Sequence, residues 1–249
     1  MKQIMEEKAQ NYKNGKINYV TEKVVKDSTI TLTINNEISR NLSAIEDSLE
    51  EFAVGYLFNE NMVKSLEDIA KIEINENHIN VEIDDKLLKT KETVLCSDSS
   101  GGWRSKIKEI KPISSDFQVE ADELINRIEE LKNNAQIWQA TGGTHVAGIV
   151  YKNNFIVKED VSRHVAVDKV IGYGILHNYD LSNSYVIYSG RMPADMVIKI
   201  VRAGIPVLAS NAAPAYSGCE TAKKGNVTLV GFLRGQRFNV YNNKNRIIF

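Results

Sequence analysis

The chain has only two cysteines in its 249 residues, Cys96 and Cys219, and only four prolines. Two cysteines cannot build a disulfide framework and are too few for a structural zinc site. Each is therefore either a buried small apolar residue or a working thiol. Long hydrophobic runs are missing as well. No apolar stretch approaches the ~20 residues that span a bilayer. Residues 1–14 are polar and mixed in charge, with no apolar core before a cleavage site, so no secretory signal is read there. A surplus of one charge is also lacking, since 31 Lys and Arg stand against 32 Asp and Glu. That balance argues against a general nucleic-acid binder, although it is compatible with a local basic pocket. There is no phosphate-binding P-loop and no Gly-x-Gly-x-x-Gly after a strand. These absences set the expectation of a cytoplasmic protein with neither a membrane nor a nucleic-acid partner.

What remains is the composition of a globular protein, 43% hydrophobic and 25% charged, long enough for one large domain or two small ones. Tyr19-Val25 and Thr29-Ile34 read as strands around Lys26-Asp27-Ser28. Leu49, Phe52, Ala53, Tyr56 and Leu57 form a helical stripe, with Asp47 or Ser48 as its expected cap. Ile72-Ile74 and Ile79-Ile83 alternate as a strand pair, and Thr93-Leu95 leads into Cys96 and a loop of serines and glycines. Pro112 marks a boundary, dividing the chain into an N-terminal α+β region, 1–113, and an α/β core, 114–249. Beyond it strands and helices alternate, which predicts a mixed sheet with helices on its faces.

Polar residues gather in the loops of that second part. Thr141-Gly142-Gly143-Thr144-His145 is small enough for backbone N–H groups to approach a phosphate. Glu159-Asp160-Val161-Ser162-Arg163-His164 opens a helix containing Asp168, and Ser189-Gly190-Arg191 precedes another. Ser210-Asn211-Ala212-Ala213-Pro214 occupies the equivalent place after the next strand. Arg234-Gly235-Gln236-Arg237 puts two guanidinium groups around a glycine turn, able to grip phosphate bidentately. Taken singly each loop reads as an ordinary turn or solvated cluster; together they predict a pocket for an anionic, phosphate-bearing ligand. His145, His164 and a cysteine have no recognised zinc spacing. A Cys–His hydrolase pairing Cys96 with His145 or His164 stays open on the residues alone, because such partners meet in space rather than in sequence.

The same loops carry a family likeness. Thr141-Gly142-Gly143-Thr144-His145-Val146-Ala147, Glu159 to His164 and Ala166-Val167-Asp168-Lys169 resemble the central signature of the formate dehydrogenase accessory family. Gly231-Phe232-Leu233-Arg234-Gly235-Gln236-Arg237-Phe238-Asn239-Val240-Tyr241 resembles its C-terminal signature, and Glu50 to Leu57 its N-terminal one. The likeness spans about residues 40 to 241. It implies a core similar to the cytidine deaminase fold, a smaller N-terminal domain and a homodimer. It also implies a sulfurtransferase role: persulfide sulfur from a cysteine desulfurase, passed to the molybdenum (or tungsten) bis-pterin guanine dinucleotide cofactor of formate dehydrogenase. By position, Phe232, Leu233, Arg234, Gly235, Gln236 and Arg237 fall in the cofactor-binding stretch. His145, Arg163, His164, Asp168 and Arg191 fall in the signature loops as expected pocket residues. The deaminase zinc motifs, His-x-Glu and Pro-Cys-x-x-Cys, do not occur, so neither zinc nor deamination is expected.

Within that resemblance Cys96 is the expected sulfur carrier, since a thiolate must attack the donor persulfide and Arg104 and Lys106 lie close in sequence. Members of the family it resembles carry Cys-x-x-Cys in this loop in many cases and a single cysteine in others, and this chain has Cys96 alone. Arg163, Arg191, Arg234 and Arg237 would neutralise the diphosphates, with Asn211, Asp168 or Gln236 as candidates to read guanine. GDP-like nucleotides would then act as mimics of part of the cofactor. The alternative is a cofactor-binding chaperone for formate dehydrogenase maturation, with no covalent chemistry.

Overall fold

Ile30, Leu32 and Ile34 recur at every second position and are all fully buried, which gives the N-terminal part its central strand. The computed structural model describes residues 2–87, 93–95, 103–105 and 110–249. Strands β1 (Ile4–Lys13) and β2 (Lys16–Val25) come first, then β3 (Ser28–Ile34), β4 (Ile38–Ala44) and helix α1 (Leu49–Asn59). β5 (Ile69–Asn75) and β6 (His78–Ile83) follow, then the short β7 (Thr93–Leu95) and β8 (Trp103–Ser105). β1 and β2 pair only with each other, while β4, β3, β6 and β5 form a four-stranded sheet in that order. Its buried side packs on α1 through Phe52, Ala53, Tyr56 and Leu57, the helical stripe of the sequence.

The second part runs β9 (Val119–Glu120), α2 (Ala121–Asn134), α3 (Gln136–Thr141), β10 (His145–Tyr151), β11 (Asn154–Asp160) and α4 (Arg163–Leu176). It continues with β12 (Ser184–Tyr188), α5 (Ala194–Ala203), β13 (Val207–Ser210), α6 (Tyr216–Gly225), β14 (Thr228–Arg234), β15 (Arg237–Tyr241) and β16 (Ile247–Ile248). A six-stranded sheet takes the order β11-β10-β12-β13-β14-β15. Its middle strands β12, β13 and β14 are parallel, and the hairpins at both edges are antiparallel. Val186, Tyr188 and Leu208 point to the face covered by α4, α5 and α6, whereas Tyr185, Ile187 and Val207 point to the face covered by α2. The fold class is therefore the mixed α/β one expected.

Several local expectations need correcting. The first strand pair is β1 with β2, and β3 belongs to a different sheet. Residues 4–13 carry too little apolar alternation to be read as a strand, and only the cross-strand register reveals them. Ser48 does stand at the start of α1, but in a left-handed conformation (φ 52°) and without a side-chain cap bond. Its hydroxyl instead accepts a 2.7 Å hydrogen bond from the Lys158 ammonium.

The two parts meet where α1 crosses α4. A Cβ on Gly55 would lie 1.9 Å from the Asp168 carbonyl oxygen, and one on Gly172 would lie 1.8 Å from that of Glu51. Backbone thus touches backbone, and no larger residue fits either position without separating the helices. Around this contact Asn59 Nδ2 donates to Asp168 Oδ1 at 2.6 Å, and the Lys199 ammonium sits 2.5 and 2.6 Å from the two Asp168 oxygens. One turn away Lys169 pairs with Asp160 at 2.8 Å, and Asp160 also accepts the Ile45 N–H at 3.1 Å. All four charged side chains are essentially fully buried. Gly55→Ala and Gly172→Ala should each cost about 1–3 kcal/mol by overpacking. Urea unfolding would show it as a lower midpoint.

Candidate functional site

Parallel strands deliver their C-terminal ends to one edge of a sheet, and the loops that follow them share that edge. Here β12 ends at Tyr188, β13 at Ser210 and β14 at Arg234, while β10 begins there with His145 opposite Asp160. Ser189 N–H donates to the Val146 carbonyl at 2.9 Å, and Ser189 Oγ accepts the Val146 N–H at 3.0 Å. The same Oγ lies 3.5 Å from His145 Nδ1. Ser210 Oγ donates to the Gly190 carbonyl at 2.6 Å and accepts the Ala212 N–H at 3.0 Å. Phe232 N–H in turn donates to the Ala212 carbonyl at 3.0 Å. One hydrogen-bonded path therefore links His145, Ser189, Gly190, Ser210, Ala212 and Phe232 along the rim.

Helices α4, α5 and α6 all start at this edge, at Arg163, Ala194 and Tyr216. Their positive dipole ends favour an anion there, while at α5 the Ala194 and Met196 N–H groups already donate to Ser217 Oγ (3.4 Å) and Asp195 Oδ1 (3.0 Å). Phe232 takes a left-handed conformation (φ 58°) at an irregularity in the β14–β15 pairing. Beyond it Arg234 pairs with Arg237 across the turn made by Gly235 (φ 57°) and Gln236. Arg234, Gly235, Gln236 and Arg237 are all exposed, and the Arg234 guanidinium lies 5.9 Å from the centre of the Phe232 ring. This turn is the most solvent-accessible guanidinium pair on the rim, suited to bidentate contact with a diphosphate.

Beneath the rim the charges are held tightly. Burial, with the Arg163 charge adding to it, holds the His145 imidazole below its ordinary value, so the ring is neutral at pH 7. Burial by itself raises the Asp195 carboxyl, but hydrogen bonding and charge from His164, with the Arg163 charge, outweigh it and hold the group at about 2. The His164 Nε2 to Asp195 Oδ2 distance is 3.3 Å. Tyr188 donates its hydroxyl to the Arg191 carbonyl, pinning that backbone while the Arg191 side chain stays exposed.

The expected site residues thus divide. His145, Arg163, Arg191, Asn211, Phe232, Arg234, Gly235, Gln236 and Arg237 reach the shared edge with part or all of their surface open. Leu233, His164 and Asp168 do not: each is completely buried. Leu233 faces inward because strand side chains alternate, His164 sits under the start of α5, and Asp168 is committed to Asn59 and Lys199. These three support the site from beneath. Cys96 lies outside the described residues. Cys219 is a half-buried free thiol on α6, packed against the main core. Among the described residues no cluster of three or more His, Cys, Asp or Glu side chains could hold a metal ion. Nor is any helix there long and apolar enough to cross a membrane. Ser189 was read from the sequence only as part of its loop, and Asp195 was not singled out. Their roles depend on the pairing of β10 with β12 and on the packing of α5 against α4, neither of which leaves a local signal.

The class defined by this architecture is a mixed α/β protein with an anion-seeking rim at the ends of its parallel strands. The FdhD/NarQ family matches residues 25–248, nearly the whole chain and more than the motifs alone covered. The sulfur carrier protein FdhD of Methanothermobacter thermautotrophicus is 47% identical over 230 residues, covering 92% of this chain and 93% of that one. Protein FdhD of Methanocaldococcus jannaschii is 33% identical over 231 residues, 92% of each chain. A crystal structure from Desulfotalea psychrophila, described as that of a formate dehydrogenase accessory protein, superposes with a TM-score of 0.82. It shares 27% identity, with 98% of this chain and 99% of that one covered. The chain belongs to the FdhD/NarQ family.

The neutral state of His145 can be tested by NMR titration. Its midpoint should lie below the ordinary 6.5, and Arg163→Gln should move it upward only in part, because burial is the larger cause. The sign for stability follows: the contribution is complete above about pH 6.5 and is lost as pH falls through the lower folded-state value.

Proposed function

We infer that this chain is a cytoplasmic sulfur carrier serving formate dehydrogenase, and that its rim holds the molybdenum or tungsten bis-pterin guanine dinucleotide as cargo. The single observation that carries the binding half is the convergence of three helix starts with His145, Arg163, Arg191 and the Arg234–Arg237 turn at one edge of the sheet. Full-length relatives named sulfur carrier protein FdhD support the sulfur half. In this reading the Cys96 thiolate attacks the outer sulfur of a cysteine desulfurase persulfide. The donor S–S bond breaks, a new S–S bond forms on Cys96, and the donor leaves as a thiolate. The arginines neutralise diphosphate charge, and Gln236 or Asn211 supplies hydrogen bonds to the base. Ser189 and His145, linked through Val146, keep the floor of the rim fixed and uncharged.

A second reading has the same pocket without covalent chemistry, a chaperone for the cofactor. It is favoured by the lone Cys96 in a loop where the family resemblance often implies Cys-x-x-Cys. Both readings require the rim. GDP should therefore bind in calorimetry, and Arg237→Ala should weaken it at least about tenfold by removing half of a bidentate grip, while Cys96→Ala leaves it unchanged. No heat with GDP from folded protein would remove the pocket from both.

Sulfur loading separates the two. After incubation with a cysteine desulfurase and cysteine, intact mass under non-reducing conditions should show one added sulfur in the wild type and none in Cys96→Ala. No gain in the wild type beside an active desulfurase leaves the chaperone.

A further inference from the structure

A neutral imidazole has one N–H and one bare nitrogen, and a partner on either side fixes which is which. At the rim that partner is a hydroxyl. Ser189 directly follows β12 and is held to β10 by two bonds. Its N–H donates to the Val146 carbonyl at 2.9 Å, and its Oγ accepts the Val146 N–H at 3.0 Å. The same Oγ lies 3.5 Å from His145 Nδ1, a long contact whose direction depends on the tautomer. Among the described residues the hydroxyl has no other acceptor.

Counting protons decides the direction. If Nδ1 carried the ring proton, Oγ would accept two N–H groups and its own proton would have no protein acceptor. If Ser189 donates to Nδ1, every one of these groups is satisfied and the ring proton sits on Nε2. A carboxylate more often orients a histidine, and it would favour the imidazolium. The carboxylate across the strand pair from His145 is Asp160, but its oxygens are committed to Lys169 and to the Ile45 and Ser162 N–H groups. A hydroxyl holds the ring without charging it. Nε2 makes no hydrogen bond among the described residues and is not a buried orphan, so it opens to solvent on a half-buried ring.

We propose that Ser189 is a positioning residue that locks His145 in its Nε2–H form, and that this N–H donates to a diphosphate oxygen of the cargo. The second half rests on the reading of the rim given above. An anionic oxygen suits the place, because the Arg163 charge acts on this ring and α4 turns its positive end to the same edge. A neutral donor adds direction there without a further charge to desolvate. With Nδ1 occupied and Nε2 protonated, His145 has no lone pair to take a proton from a thiol. The Cys96–His145 pairing that the residues alone left open therefore lacks its base.

Nitrogen-15 NMR of the full-length chain, with its four histidines labelled, reads the tautomer directly above neutral pH, and His145→Gln identifies the His145 signals. Wild type should show the proton on Nε2, Ser189→Ala a mixture of both forms, and Ser189→Thr the wild-type form. Unchanged signals from the fully buried His164 show that the variants fold. A wild-type proton on Nδ1, or a Ser189→Ala spectrum like that of wild type, overturns the lock. GDP should move the His145 Nε2–H signal, whereas guanosine, which has no phosphate, should not. Ser189→Ala should also weaken GDP roughly two- to tenfold in calorimetry, the worth of one hydrogen bond. Heat from GDP with no movement at His145, or equal movement with guanosine, overturns the donor role alone. No heat at all removes the reading of the rim and the donor with it, while the lock still stands or falls on the tautomer.

Discussion

Everything in this molecule rests on the contact between α1 and α4. Two helices can approach until their backbones touch only where neither has a side chain, and Gly55 and Gly172 supply that opening from opposite sides. Close approach brings polar side chains with it. Asp168 and Lys169 are neighbours on one helix, both fully buried, and each has an opposite charge from a different element: Lys199 of α5 and Asp160 of β11. A buried ion pair is weak grounds for stability, because desolvation offsets much of the attraction, but losing one partner is severe. Two such pairs back to back fix the position of α4 along its own axis, since a slide of one residue would strand both.

That fixed helix is what gives the rim its geometry. α4 begins with Arg163 and His164, so whatever holds Asp168 and Lys169 also sets the start of the helix against β10 and α5. The frame keeps its charges inside and paired, whereas Arg191, Arg234 and Arg237 at the rim have exposed side chains. Arg191 shows both behaviours at once, with its carbonyl tied to Tyr188 and its side chain in solvent. A bulky polyanion needs such a division: a floor that does not move, and cationic groups that can adapt to it.

How much of this could be read in advance depended on whether the cause was local. Periodicity placed α1, α2, α4 and the strands of the main sheet, because apolar spacing reports directly on one buried face. Charged β1 had no such spacing, and its pairing with β2 is a matter of register. The rim loops were legible because glycine, serine and arginine stand out at strand–helix junctions. Which of their residues would point inward was not. Leu233 was hidden by strand alternation inside a motif otherwise exposed, and His164 and Asp168 by the helix face that turns towards α5 and α1. The partners that hold them, Asn59, Asp195 and Lys199, lie 31 to 109 residues away along the chain and have no sequence signature.

The core of the N-terminal sheet contains one residue from far downstream, Val165. As the chain is synthesised, the first hundred residues can pair their strands, but they cannot close their core until α4 has left the ribosome. Asp168 then waits for Lys199, which emerges a further thirty-one residues later. The two halves of this protein therefore do not mature one after the other: the earlier half is completed by the later one, and a truncated product would carry an open apolar sheet for proteases to find.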